Sequence, residues 1–393
     1  MSLRVLFVFD IVAHYHAEMF QGLEQRLARS GIELHLASGE VPEGATGRVG
    51  LKRAVLQHEY KYRCIETVWR GWALRRAPQV LQIVREVRPA VVVCMAHSGN
   101  LAHWALVRGK KLGGYRLVAW QCGFEYHPGR IKRFLLDRFV PHFDHHLAYH
   151  SNARDYALCH GARFDQVTVV HNTVNEARIE VLPRDEARRR VVERHPEIGA
   201  RRIVLFVGAA LAEKRIEQLM EAVTLVARPD VVLLVVGDGV HLPTLRAAAA
   251  GRSDVVFAGS VVQGVGPYFD AADVFVMPGT GGLGLNEAMA HGLPMLAGYA
   301  DGSADDLVVD GETGFRLREG TTSELVRRLA ELLDDEPLRL RLGRSGAERI
   351  RERFSFQCFL DRIEGALVTE VKSAPITRKA RAEESLDVAP QQR

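Results

Sequence analysis

Short apolar runs alternate along this chain with stretches of helical spacing. RVLFVF (Arg4–Phe9), AVVVCM (Ala90–Met95), IVLFV (Ile203–Val207), VVLLVV (Val231–Val236) and DVFVM (Asp273–Met277) do not alternate apolar with polar. Strands read this way when helices cover both faces of a parallel sheet. Between the first two runs, Met19, Phe20, Leu23 and Leu27 fall on one face of a helix over His16–Ser30, which Gly31 ends. Glu33–Ala37 reads as the next strand. The alternation predicts an α/β fold: two tandem doubly wound, Rossmann-like domains with a cleft between them. The 393 residues agree with two domains.

Further elements follow the same logic. Thr67–Arg88, His103–Leu112 and His150–His160 read as helices. Leu117–Trp120, His146–Tyr149 and Val167–Val170 read as strands. Pro42–Arg63 is polar and carries no assignment. The Arg-rich stretch Asn175–Ala200 has no buried strand and is placed as linker and decoration. Lys214–Val226, Leu242–Ala250 and Val265–Ala272 are helical, and Val255–Ala258 and Met295–Ala297 are strands. The expected domains are 1–175 and 176–351, with a closing helix at 352–370 and a disordered tail at 373–393.

A formal charge of +4 is small for this length and does not suggest a nucleic-acid partner. Five scattered cysteines, none in CxxC spacing, argue against a disulfide framework or zinc site and suit a reducing cytoplasm. The apolar run at the start is too short for a signal peptide. No stretch has the roughly 18 apolar residues a membrane span needs.

The stretch MPGTGGLGLNEAMAHGLP (Met277–Pro294) concentrates the chemistry. It is a strand end, a loop with Gly279, Gly281, Gly282 and Gly284, then a helix over Leu285–His291. Glycines let backbone amides approach an anion, and a helix N-terminus adds unpaired N–H groups. Glu287, about the first helical turn, suits sugar hydroxyls. The plainer reading is a tight strand-to-helix turn with a solvated glutamate, and the stretch alone leaves both open.

Its neighbours add specificity. VGAALAEKRIEQLMEAV (Val207–Val223), LLVVGDGVHLPTLRAAA (Leu233–Ala249), Val255–Pro294 and VDGETGFRL (Val309–Leu317) resemble, in order and spacing, the nucleotide-sugar half of retaining GT-B glycosyltransferases of family 4, the glycosyl transferases group 1. YHSNARDYALCHGARFDQVTVVHNTVN (Tyr149–Asn175) and Arg351–Leu367 resemble the end of that family's first domain and its closing helix. The resemblance implies a nucleoside-diphosphate-sugar donor in the second domain, a glycan, lipid-linked or small-molecule acceptor on the first, and transfer with retention. It also implies site residues. The phosphate-binding Arg-x4-Lys pair falls on Ala209 and Lys214, so the lysine is present and the arginine is not. Arg215 replaces a usual glycine. The Glu-x7-Glu pair falls on Gly279 and Glu287, so the carboxylate facing the transferred sugar is missing. Gly282 and Leu283 match the residues whose amides approach the diphosphate.

On the first domain, His97 after a strand end is a candidate acceptor ligand or base, with Lys214 and Glu287 as the other catalytic candidates. His14, His16, Glu125 and His127 are further candidates for the acceptor side. Asp301, Asp305 and Asp306 lack calcium-loop spacing and read as loop and capping residues, so no metal is expected. Arg130–Phe143 interleaves basic and apolar residues. It reads either as a core-facing helix with a solvated basic side or as a peripheral contact with the inner membrane face. The expected protein is a cytoplasmic hexosyltransferase. A catalytically degenerate sugar-nucleotide binder and a GT-B epimerase remain the alternatives.

Overall fold

The computed structural model describes residues 3–12, 16–40, 56–69, 72–123, 129–261, 264–298 and 302–375. His14, Glu125, His127, Asp301 and residues 376–393 of the expected tail lie outside them. The chain divides into two compact units. The first includes residues 50–170 and the chain from Phe359, and the second His171–Cys358.

Unit 1 runs β1 (Leu3–Phe9), α1 (His16–Arg29), β2 (Ile32–Glu40), β3 (His58–Arg63), β4 (Ile65–Trp69), β5 (Trp72–Arg76), α2 (Gln79–Val87), β6 (Val91–Met95), α3 (Leu101–Gly113), β7 (Arg116–Gln121), α4 (Arg130–Phe139), β8 (His145–Ala148), α5 (Ser151–Cys159) and β9 (Val167–Val169). Seven strands form a sheet in the order β3-β2-β1-β6-β7-β8-β9. Every neighbouring pair is parallel. Its core is aromatic: Phe7, Phe9, Phe20 and Trp120 are buried and meet at ring distances of 5.3–6.3 Å.

Unit 2 contains α6 (Arg184–Arg194), β10 (Arg202–Val207), α7 (Ile216–Val226), β11 (Val231–Val236), α8 (Leu242–Ala248), β12 (Val255–Gly259), α9 (Gly266–Ala271), β13 (Val274–Met277), α10 (Leu283–Ala290), β14 (Met295–Gly298), α11 (Ser303–Leu307), β15 (Gly314–Leu317), α12 (Thr322–Asp334) and α13 (Glu336–Arg353). Its sheet order is β12-β11-β10-β13-β14-β15, again all parallel. The doubly wound α/β reading therefore holds in both halves. In each, strand order reverses at one place, between β1 and β6 and between β10 and β13. Such a reversal opens a crevice at the strands' carboxyl ends, where ligands bind.

The last helix, α14 (Phe356–Ser373), delivers Phe359 onto Trp120 at 6.4 Å and Glu364 to Arg26 at 3.0 Å within unit 1. Leu360 lies over Gly22, where a side chain would meet it at 2.7 Å.

Four readings need correction. Residues 67–76 are not helix: β4 and β5 form an antiparallel hairpin, and only Gln79–Val87 is helical. Thr67, Val68 and Trp69 are β-branched and aromatic types that favour a pleated strand. Pro42–Arg63, left unassigned, ends in β3. This strand is polar because it lies at the sheet edge, half solvated. Lys214 does not open α7. It ends a 3-10 turn, Ala212–Lys214, and Arg215 breaks the path with φ 54°. Finally, α10 begins at Leu283, which moves Glu287 from the first helical turn to the second.

The Arg-rich stretch read as linker carries α6, pinned inside unit 2. Arg184 donates to Asp273 at 2.6 Å, and Arg188 donates to the Arg201 carbonyl at 2.6 Å.

Candidate functional site

Two loops leave the strand-order reversal of unit 2. One follows β10 and carries Ala209 and the turn Ala212–Lys214. The other follows β13 and is the glycine loop. Backbone bonds join them: the Thr280 N–H donates to the Glu213 carbonyl at 2.9 Å, and the Thr280 hydroxyl donates to the same oxygen at 3.1 Å. Lys214 completes the union. Its ammonium donates to the carbonyls of Thr280 at 2.6 Å and Gly281 at 2.8 Å. The positive charge is thereby fixed on the glycine loop, just before the amino end of α10. No side chain caps that end at Gly282. First-turn amides and a fixed lysine are the groups that suit an anion at this point.

Gly279 explains a departure that is only a gap in the sequence pattern. A Cβ there would stand 2.1 Å from the Glu213 carbonyl oxygen and 2.5 and 2.7 Å from backbone atoms of Lys214. The lysine turn lies directly on this residue, so no side chain fits in this conformation. At Gly282 the space is open towards the cation, with a Cβ position 3.8 Å from Lys214 Nζ. Gly284 sits under the end of β10, where a Cβ would meet the Val207 carbonyl at 3.0 Å.

Glu287 follows one turn along α10 from Leu283. Burial pushes its carboxyl above the usual range, and nearby His291 partly opposes that. His291 is itself enclosed. Its Nδ1 is 2.7 Å from Asp270, both side chains are at most 2% exposed, and its ring stacks on Phe269 at 5.1 Å. Asn286 anchors the same helix to the start of unit 2 through the Thr173 hydroxyl at 3.2 Å.

The structure thus brings Lys214, Gly279, Gly281 and Gly282 into one cradle, with Leu283 and Gly284 on the helix and Glu287 a turn further. Ala209 supplies only a half-buried methyl. Arg215 does not join: Gly320, after β15, lies against its guanidinium, with 3.4 Å from the Gly320 Cβ position to Arg215 Nη1. A surface depression of about 270 Å³ along α7 and α8, lined by Glu217, Met220 and Arg252 among others, contains none of the glycine-loop residues. Asp305 pairs with Arg316 at 2.9 Å, and Asp306 with His171 at 3.2 Å.

Unit 1 carries a different arrangement at its own reversal. Asp10 follows β1 and is buried. It accepts from the Tyr62 hydroxyl at 2.9 Å and from Asn100 at 2.9 Å, with Arg75 at 3.9 Å. Burial, with Asp10 beside it, pushes the Tyr62 hydroxyl well up, which keeps it a donor. Asn100 also caps α3 by accepting from Ala102 N–H at 2.9 Å. His103 is fully enclosed, and burial lowers its pKa to about 4. His97 is exposed in the turn before α3, its ring stacked at 6.4 Å from His103. His16, by contrast, is a packing residue against Phe9 and Phe20. The sequence reading passed over Asp10, Tyr62 and Asn100. The available signal was position: a carboxylate immediately after the first strand.

The fold, two Rossmann-like α/β halves, is that of GT-B glycosyltransferases. An Anabaena protein, HepE, solved in complex with UDP, superposes with a TM-score of 0.75 at 16% identity, over 93% of this chain and all of that one. Sequence similarity is narrower. Residues 201–335 match the profile described as Glycosyl transferases group 1. Among curated relatives, a GDP-mannose-dependent monoacylated alpha-(1-6)-phosphatidylinositol monomannoside mannosyltransferase of Corynebacterium glutamicum is 34% identical over 156 residues, 37% of this chain and 40% of that one. The sulfoquinovosyl transferase SQD2 of Arabidopsis thaliana is 33% identical over 37% of this chain and 29% of its own length. The chain therefore spans well under half the length of these relatives.

Proposed function

We propose that this protein is a retaining glycosyltransferase of hexosyl type. It moves a sugar from a nucleoside-diphosphate donor, held by unit 2, to a glycan, lipid-linked or small hydroxyl acceptor held by unit 1. The observation that carries the reading is the Lys214 ammonium locked onto the glycine loop ahead of α10. As the glycosidic bond to the diphosphate breaks, negative charge grows on the departing phosphate while the sugar becomes oxocarbenium-like. A fixed cation and prealigned amides stabilise that charge without reorganising. The Glu287 carboxylate binds donor hydroxyls from the adjacent turn. With Gly279 in place of a carboxylate, backbone groups of the glycine loop orient the sugar ring; in unit 1, the exposed His97 is the candidate acceptor ligand or base.

One curated relative is named as GDP-mannose-dependent and a structural neighbour is solved in complex with UDP, so the base is best found by experiment. A thermal-shift screen of nucleoside diphosphates and their sugar conjugates should give one clear winner, since ligands stabilise by mass action. With that donor, Lys214→Ala and Glu287→Ala each lower transfer by about 100-fold or more. Full activity in both variants rejects the assignments. Gly279 favours one second reading, a sugar-nucleotide-binding protein without turnover, and tight donor binding with no transfer or hydrolysis would select it.

A peripheral membrane contact is also supported. On α4, Leu136 and Phe139 are buried, whereas Ile131 and Phe134 are 65% and 54% exposed beside Arg130, Arg133 and Arg138. An exposed apolar pair among cations suits an anionic lipid face. No helix among the described residues is long and apolar enough to cross a membrane.

A further inference from the structure

Away from both strand reversals, the outer strands of unit 1 gather Glu33, His35 and His58. Residues two apart on a strand share a face, and a neighbouring strand lies about 4.8 Å away. Glu33 and His35 are two apart on β2, and His58 is the registered partner of His35 on β3. One ligand atom from each lies within 4.8 Å of the other two. The two rings stack with centroids 4.4 Å apart and planes at 12°.

The contacts of His35 are too long for its burial. The ring is 5% exposed, yet Nε2 is 3.4 Å from Glu33 Oε2 and Nδ1 is 3.3 Å from the Tyr60 hydroxyl. Good hydrogen bonds of these types are about 2.7–3.2 Å. A nitrogen and an oxygen bound tetrahedrally to one zinc ion, each at about 2.0–2.2 Å, stand about 3.4 Å apart. The observed Nε2···Oε2 separation is that distance.

We propose that Glu33, His35 and His58 form a divalent transition-metal site, with zinc as the fitting ion, that ties β3 to β2. His35 ligates through Nε2, Glu33 through its carboxylate and His58 through the ring nitrogen turned towards them. Binding turns the half-exposed His58 ring out of its stack on His35, because two parallel rings cannot both aim an in-plane lone pair at one ion. The surroundings are those of an outer shell. Arg4 Nε donates to Glu33 at 2.9 Å and orients the carboxylate, and Tyr60 stands where His35 Nδ1–H would donate. Mixed nitrogen and oxygen ligands select zinc over magnesium, which demands an octahedral oxygen shell. The fourth position faces solvent, since Glu33 is 39% exposed.

The test is zinc titration of the full-length, chelator-treated protein by calorimetry, with bound metal counted after dialysis. One zinc per chain binds, the melting temperature rises, and magnesium does neither. His58→Ala and Glu33→Gln each weaken zinc by more than the roughly 10–100-fold typical of outer-shell changes, and Tyr60→Phe by about tenfold. Circular dichroism of the metal-free variants shows whether they fold. Failure to retain zinc, equal binding of magnesium, or undiminished zinc in folded His58→Ala and Glu33→Gln proteins overturns the site. None of these readouts depends on transferase activity.

Discussion

The two units place polar groups at the same topological point and build them from opposite materials. In unit 2 the reversal between β10 and β13 is lined by backbone: glycine amides, the free end of α10 and one lysine held by carbonyls. In unit 1 the reversal between β1 and β6 is lined by side chains: Asp10, Tyr62, Asn100, Arg75 and His103. A loop built from backbone groups offers amides to any anion of suitable size, and its sequence pattern is constrained by sterics. A side-chain cluster can be rewritten one residue at a time to suit a particular partner. The family profile matches residues 201–335, all within unit 2, whereas the fold similarity spans 93% of the chain.

The contrast breaks most easily at Gly279. Substitution by alanine puts a Cβ 2.1 Å from a carbonyl oxygen, and backbone must move. The expected result is a stability loss of about 3 kcal/mol or more and disappearance of nucleotide-induced thermal shift. Unchanged melting and binding would mean that the two loops part freely and that no rigid cradle exists.

Acid distinguishes the units next. Burial holds His103, His145 and His146 near pKa 4, below the ordinary 6.5, and all three are in unit 1. A lowered folded-state value means the neutral ring stabilises the fold. That contribution is complete above pH 6.5 and is lost as pH falls towards 4. For Glu287 in unit 2 the folded value is raised, so its contribution is complete below the ordinary carboxylate range and lost as pH rises through the raised value. Hydrogen exchange followed between pH 6.5 and 4 should show unit 1 losing a few kcal/mol of protection (order of magnitude) while unit 2 loses less. Equal loss in both would remove the distinction.

Asp10→Asn sharpens the comparison with a smaller change. The amide keeps the shape but removes the charge opposite Arg75 and misdirects one of two hydrogen bonds. A cost of about 1–3 kcal/mol in stability is expected. Transfer should fall while donor affinity, measured calorimetrically, stays level. A parallel fall in donor affinity would show that the cluster serves unit 2 as well.

Much of this was legible in the residues. RVLFVF and VVLLVV read as strands covered on both sides, whereas Gly279–Gly284 followed by a helix left an anion loop and a plain strand-to-helix turn both open. Other features were not. The sequence of the hairpin at 65–76 mixes apolar residues with Glu66, Arg70, Arg75 and Arg76 in no clear period, so helix and strand spacings fitted it about equally. Arg215 occupies a left-handed position usually given to glycine, and only its backbone angles reveal why Lys214 ends a turn instead of starting a helix. Asp10 interrupts an apolar run and carries no motif.

Hydrophobic period and glycine spacing, which are local properties, determined the class of fold and the place of the glycine loop. The tertiary structure decided what lies against what. Sequence shows that Gly279 lacks a carboxylate, and only packing shows that the lysine turn fills the space where one would stand. Close packing is a relation between segments some 65 residues apart, and a linear pattern does not encode the distance between them.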